Sequence, residues 1–314
     1  MAFIHVAVAT DSAYLPWSAT LLRSALLQHP DGSLHFHLLH ADNLRSEDVD
    51  RLREMVDGGG GELDLHAVGS SGVAQLPAVE PFGPVAWLRL KLPDLLPELD
   101  RVLYLDADTL VLAPITPLWQ TSLDGAPVAA VANVVEPAQH AHVAAIGIAD
   151  AAQFFNSGVL LMNLDLMRQE DTFKRLASFA DAHREQLLWP DQDSLNGVFA
   201  GRWLHLHPRW NAQNSLWFWR DWAESVFGAE QVREATSEPA ILHFEGPSLR
   251  KPWHYLCEHP RRDDYRRILA QTPWRKTGLE DRTPATGLIK LLPPAARLRA
   301  YLRLQRWRAG RARA

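Results

Sequence analysis

The 314 residues carry an ordinary globular composition and a formal net charge of −5, enough chain for one large α/β domain or two small ones. A single cysteine, Cys257, excludes an internal disulfide framework. With no signal peptide it leads us to expect a reducing compartment, the cytoplasm. No run of about 18 apolar residues occurs, so no membrane-spanning helix is expected.

Residues 3–9 read as a buried first strand, ending in Thr10-Asp11-Ser12, and residues 17–29 as the first helix. Histidines alternate with aliphatics through 35–40, a second strand, and a second helix is expected over 46–56 with Ser46 as N-cap. Gly58 to Gly61 stop that helix. Residues 62–68 alternate as a third strand, 85–96 read as a helix, and an apolar strand runs over 102–112. Strands at 128–133 and 158–162 follow, with helices at 171–183, 192–199 and 261–267. The alternation predicts an α/β fold: one Rossmann-like domain over 1–282 with a mostly parallel mixed sheet, whose ligands lie beyond the carboxyl ends of the strands. Five tryptophans crowd residues 203–222: Trp203, Trp210, Trp217, Trp219 and Trp222. Packing beneath a long loop is the expected role, ahead of a sugar platform, because tryptophan is highly buried on average.

The run 102–112 is interrupted once, by Asp106 and Asp108. At i and i+2 on a strand, two side chains share a face about 7 Å apart at their Cα atoms. Two carboxylates set among aliphatic neighbours need a positive partner, and a hard divalent cation fits best. The other reading of the pair alone is an ordinary strand-to-loop turn with solvated carboxylates.

The segments Ala9-Thr10-Asp11, Gly58–Gly61, Leu88-Arg89-Leu90-Lys91-Leu92, Tyr104-Leu105-Asp106-Ala107-Asp108, Phe155-Asn156-Ser157-Gly158-Val159-Leu160-Leu161, Asp191-Gln192-Asp193-Ser194-Leu195-Asn196, His243-Phe244-Glu245-Gly246-Pro247 and Lys251-Pro252-Trp253 occur in this order. In that order the chain resembles the family 8 glycosyltransferases, most closely the retaining bacterial enzymes that add galactose to lipooligosaccharide. The resemblance implies a GT-A nucleotide-sugar fold and transfer of galactose or glucose from a UDP-sugar to a saccharide or glycolipid acceptor. It also implies Mn²⁺, or Mg²⁺, held by Asp106, Asp108 and His243 against the diphosphate. Ala9, Asp11 and Tyr14 would face the nucleotide, with one hydrogen bond fewer at Ala13. Arg89, Asn156, Asp191 and Gln192 would hold the donor sugar and shape the reaction centre, Asp191 among the catalytic residues, and Gly246 would contact the substrate. Lys251 lies two residues farther from Gly246 than is usual, so Arg250 stands beside it as the alternative diphosphate cation. Gln192 occupies the position at which a retaining enzyme could carry a nucleophile. Glutamine is a poor one, which favours front-side attack by the acceptor beside the departing phosphate, with Asp193 kept as an alternative carboxylate nucleophile. Nucleic acid is not an expected partner.

Asp106-Ala107-Asp108-Thr109-Leu110 also fits the first motif of haloacid-dehalogenase-type phosphatases. That fold begins with the motif, whereas about a hundred residues of βα pattern precede it here, and Asp263-Asp264 fall in an expected helix. A nucleotide-sugar binding protein without turnover is the third reading.

The tail is chemically separate. Residues 283–314 contribute eight cations and no carboxylate to the net −5, leaving −13 on residues 1–282. Leu298, Tyr301 and Leu302 share one helical face, with Arg299, Arg303 and Arg306 largely opposite and Trp307 off the apolar side. A small helical tail over 295–308, resting on the anionic inner face of the cytoplasmic membrane, and a disordered basic tail are both open.

Overall fold

The computed structural model describes residues 3–41, 44–68, 73, 76–77 and 83–312. Ten strands are present among them: β1 Ile4–Thr10, β2 Leu34–His40, β3 Glu62–Ala67, β4 Arg101–Leu105, β5 Thr109–Val111, β6 Val128–Ala132, β7 Phe155–Asn163, β8 Leu204–His205, β9 Ala212–Gln213 and β10 Ile241–His243. Seven form one sheet in the order β3-β2-β1-β4-β7-β6-β8, and β5-β10-β9 form a small second sheet. In the large sheet β7 runs antiparallel to β4 and β6, and every other pairing is parallel. This is the expected α/β architecture.

Burial on both faces explains the near-continuous apolar strands. Ile4, Val6 and Val8 of β1 pack with Leu15, Leu22 and Leu26 of the helix Leu15–Gln28, whereas Ala7 and Ala9 face the layer of Leu88, Leu90, Leu160 and Leu195. Side-chain alternation with period two thus splits one strand between two cores. A third cluster covers the small sheet. In it the indoles of Trp17 and Trp253 stack at 4.4 Å, only 7° from parallel.

Several boundaries differ from expectation, each for a local reason. The helix expected over 85–96 is a 3₁₀ segment, Pro84–Lys91, followed by a single turn, Leu92–Leu95. Pro93 has no N–H for an interior hydrogen bond, so the chain restarts there with proline in a first turn. Ser46 is the first residue of its helix and not the cap; Arg45 holds the cap position and its side chain donates to Asp48. The run 102–112 is two strands in two sheets, β4 and β5, with Asp106-Ala107-Asp108 forming the turn between them. None of the five tryptophans is fully exposed, and Trp203, Trp210, Trp217 and Trp222 belong to the core clusters.

The tail forms the helices Pro284–Lys290 and Pro294–Ala312. Tyr301 turns inward, its hydroxyl 3.1 Å from His254 Nε2, and Arg308 pairs with Asp281 at 2.9 Å. The apolar face read from the sequence is therefore divided: Tyr301 is buried, while Leu298 and Leu302 remain half exposed beside an exposed Trp307. Among the described residues no helix is long and apolar enough to cross a membrane.

Candidate active site

The ends of β4 and β10, and the turn leading into β5, meet at Asp106, Asp108 and His243. The ligand atoms of these three lie within 4.8 Å of one another. Their convergence comes from a turn, not from strand alternation. Asp106 N–H donates to Gly158 O at 2.8 Å, Thr109 N–H and Oγ1 both donate to Asp106 O, and Phe244 N–H donates to Asp108 O at 3.0 Å. The turn is thereby tied to β7 and β10, and both carboxylates are aimed at one point.

His243 Nε2 is 3.3 Å from Asp108 Oδ1 and 3.8 Å from Asp106 Oδ2. Its other nitrogen, Nδ1, donates to Asn211 Oδ1 at 2.9 Å, and Asn211 in turn donates to Asn156 Oδ1 at 2.8 Å. That chain selects the tautomer and turns Nε2 toward the carboxylates. Gly158 makes room for the ring: a Cβ there would stand 2.1 Å from His243 Cε1. Burial favours the neutral imidazole, yet the adjacent Asp108 carboxylate outweighs it and raises the ring's pKa.

Two cations neutralise the carboxylates. Lys251 Nζ donates to Asp108 Oδ2 and to Phe244 O. Burial pushes the Asp108 carboxyl up, but Lys251 and His243 outweigh it and hold the group below the ordinary carboxylate range. Arg89, 5% exposed, donates through Nη2 to Asp106 Oδ1 and through Nη1 to Ser157 O, both at 2.7 Å. Its Nε lies 3.3 Å from Asp191 Oδ2 without hydrogen-bond alignment, so that pairing is electrostatic. Burial works against the guanidinium charge, and Asp106 and Asp191 more than restore it. The Arg89 side chain also lies over the Tyr104 ring, 4.3 Å from its centroid, and Tyr104 donates its O–H to Asp106 Oδ1 at 2.9 Å.

Asp191 and Gln192 stand on the first turn of the helix Pro190–Phe199, against β7. Ser157 joins them: its N–H donates to Gln192 Oε1 at 2.9 Å and its hydroxyl to Asp191 Oδ2 at 3.1 Å. Burial raises the Asp191 pKa, with Arg89 opposing. Asp193 lies elsewhere. Fully buried, it accepts from the N–H groups of Leu188 and Trp189 and pairs with His142 at 3.1 Å. Its carboxylate ties down the loop before the helix, and the structure does not bring it into the cluster. Asn196 likewise bonds both backbone groups of Phe155. Ala9 is the penultimate residue of β1, and Asp11 accepts from Tyr14 N–H at 2.8 Å, with Tyr14 41% exposed. Gly246 adopts φ +83°, the left-handed region that glycine enters freely. Arg250 stacks on Phe218, 3.7 Å from the ring centroid. Of the two adjacent cations only Lys251 reaches the cluster.

The residues missed in the sequence reading are Ser157, Tyr104, Gly158 and Asn211. The first three lay inside quoted motifs without assigned roles. Asn211 carried no sequence signal at all.

The donor set fits a divalent cation: two carboxylates and one imidazole suit Mn²⁺ or Mg²⁺, and the ring is oriented from behind as metal-bound histidines are. Lys251 would have to share Asp108 with the ion.

A model of the family described as "Glycosyl transferase family 8" matches residues 5–257. General stress protein A of Bacillus subtilis (strain 168) is 33% identical over 217 residues, covering 68% of this chain and 71% of that protein. Lipopolysaccharide 1,2-glucosyltransferase of Escherichia coli (strain K12) is 26% identical over 280 residues, 88% of this chain and 81% of the relative. Among solved structures, the galactosyltransferase LgtC in complex with donor and acceptor sugar analogs aligns with a TM-score of 0.76 at 27% identity, over 92% of this chain and 100% of that one. The fold is thus of the GT-A type, and the chain is a glycosyltransferase. The phosphatase reading fails on position as well, since Asp106 follows the fourth strand and not the first.

Proposed function

Because the chain belongs to glycosyl transferase family 8, we propose that it moves galactose or glucose from a UDP-sugar to a saccharide or glycolipid acceptor during lipopolysaccharide or related surface-glycan synthesis. The observation that carries the reading is the meeting of Asp106, Asp108 and His243 at the carboxyl ends of β4 and β10, with Lys251 and Arg89 beside them. Mn²⁺ held by those three residues would act as a Lewis acid on the leaving diphosphate.

The chain's own residues do the rest. Lys251, already desolvated, exchanges Asp108 for phosphate oxygens and adds positive charge where negative charge grows. Arg89 is held by Asp106, Asp191 and Ser157 O, so it presents a fixed guanidinium to the donor sugar without reorganising during the reaction. Asp11 and the exposed Tyr14 ring receive the uracil. Asn156, pinned by Asn133 and Asn211, stands beside the sugar. Gln192, oriented by Ser157 N–H, stabilises the oxocarbenium-like state while the acceptor enters on the same face as the leaving diphosphate, which takes its proton. Configuration is then retained. A cytoplasmic setting would suit the free, buried Cys257, and the exposed Leu298, Leu302 and Trp307 with the tail arginines suit contact with an anionic membrane surface.

The test is an assay of UDP release across a panel of UDP-sugars with Mn²⁺ or with a chelator, and NMR of the anomeric proton of the product. An α-linked product from a UDP-α-sugar is expected. Gln192→Ala should depress kcat far more than UDP affinity, because the amide acts in the transition state. A β-linked product, or turnover indifferent to chelation, rejects the mechanism. Vesicles containing anionic lipid should bind the full chain at low salt and lose that binding without residues 283–314.

A further inference from the structure

The outer edge of the seven-stranded sheet gathers titratable side chains that glycosyl transfer does not use. Register pairs His5 with His35, His35 with Glu62, and His37 with Asp64 across parallel β1, β2 and β3. Alternation then puts His5, His35, His37, Asp64 and His66 on one face. His37 is 4% exposed, His66 is half-buried, and the Asp64 carboxylate is open to solvent.

His37 Nδ1 lies 3.1 Å from His66 Nε2 and 3.9 Å from Asp64 Oδ2. All three ligand atoms fall within 4.8 Å of one another. Two ligands of a tetrahedral Zn²⁺ at 2.0–2.1 Å stand about 3.3 Å apart, so the two imidazoles are already at chelating distance, and Asp64 has to move toward them to complete the set. The groups behind them point the same way. His37 Nε2 is 3.0 Å from His5 Nδ1, and His35 Nε2 is 2.8 Å from Asp64 Oδ2. A histidine that ligates through Nδ1 donates its Nε2–H to an acceptor that fixes tautomer and ring angle, and a ligating carboxylate is itself hydrogen-bonded; His5 and His35 fill those roles. Burial, followed by the neighbouring His35, His5 and His66 rings, holds the His37 pKa down at about 3. Burial lowers His5 and His66 as well.

We propose that His37 Nδ1, His66 Nε2 and Asp64 Oδ2 form a second cation site, for a nitrogen-preferring divalent metal of the zinc class, with water at the open position. Two imidazoles to one carboxylate select Zn²⁺, Ni²⁺ or Cu²⁺ over Mn²⁺ and Mg²⁺, the reverse of the oxygen-rich cluster at Asp106. The ion would clip edge strand β3 to β2.

The test is calorimetric titration of ZnCl₂ into the full chain carrying His243→Ala, which disables the other cluster. One Zn²⁺ per chain is expected. Adding Asp64→Asn or His66→Ala should weaken it by at least about tenfold, and His5→Ala, which removes the acceptor behind His37, by about tenfold. Zn²⁺ should raise the unfolding temperature of His243→Ala while Mn²⁺ at the same concentration does not. Asp64→Asn alters an exposed side chain, and circular dichroism confirms its fold. If His243→Ala is itself unstable, loss of one Zn²⁺ equivalent on adding Asp64→Asn to otherwise wild-type protein serves equally. No stoichiometric Zn²⁺ binding, or an isotherm unmoved by Asp64→Asn and His66→Ala, overturns the site and leaves a chain of hydrogen-bonded imidazoles.

Discussion

The carboxyl ends of the central strands and the outer edge of the same sheet solve the problem of buried polar groups in opposite ways. At the first, Asp106, Asp108 and Asp191 are charged partners of Arg89 and Lys251. Taking such ions from water is expensive, and their mutual pairing is what makes burial tolerable. At the second, burial and adjoining rings keep His37 neutral. One region stores charge that a diphosphate and a hard cation can take over. The other stores lone pairs. The first also draws on residues scattered from 89 to 251, whereas the second follows directly from the register of three adjacent strands.

Removing charge from the first region should have the largest effect. Asp108→Asn deprives Lys251 and His243 of their common partner, and transfer should fall about a hundred- to a thousandfold, with Zn²⁺ binding at the strand edge unchanged; steady-state assay and calorimetry measure the two. A loss of both together would show that the regions are not independent.

Gly158→Ala probes shape without touching charge. A Cβ placed 2.1 Å from His243 Cε1 forces the ring to move, and since a misplacement near 1 Å costs about a hundredfold, transfer and Mn²⁺-dependent UDP binding should both drop by about that factor. The unfolding temperature should fall much less.

Asn211→Ala asks whether the hydrogen bond behind His243 matters as the one behind His37 is expected to. Loss of an outer partner typically weakens a metal site about ten- to a hundredfold, so Mn²⁺-dependent UDP affinity should fall in that range. Excess Mn²⁺ should restore part of the activity. The smallest effect lies at the sheet edge: His5→Ala should leave transfer unchanged and reduce only the Zn²⁺-induced rise in unfolding temperature, by about 2 °C for each kcal/mol of binding linkage lost.

Legibility in the sequence tracked how local each feature is. Strands β1, β2, β3, β6 and β7, the helix Leu15–Gln28 and the helix Pro190–Phe199 were readable because apolar periodicity and turn residues act over a few positions, whereas β5 was read as one strand with β4 and the short β8, β9 and β10 gave no such signal. Asp106, Asp108, His243 and Arg89 were readable because each sits in a recognisable short motif. The alternating histidines of β2 were visible too, but their partners Asp64 and His66 emerge only when the register of β3 is known.

The residue order alone determined the α/β class, the family and the chemical character of the cluster, since composition and spacing specify which groups are available and on which elements they ride. Tertiary structure decided which groups meet. It split the run 102–112 between two sheets and so aimed two carboxylates from a turn. It paired Lys251 with Asp108 and laid Arg250 on Phe218, committed Asp193 to a loop and His142, set Asn211 behind His243, and divided the tail's apolar face at Tyr301. The physical reason is the same in each case: side chains separated by tens of residues become partners only when packing and hydrogen-bond satisfaction bring their backbones together, and no local propensity encodes that outcome.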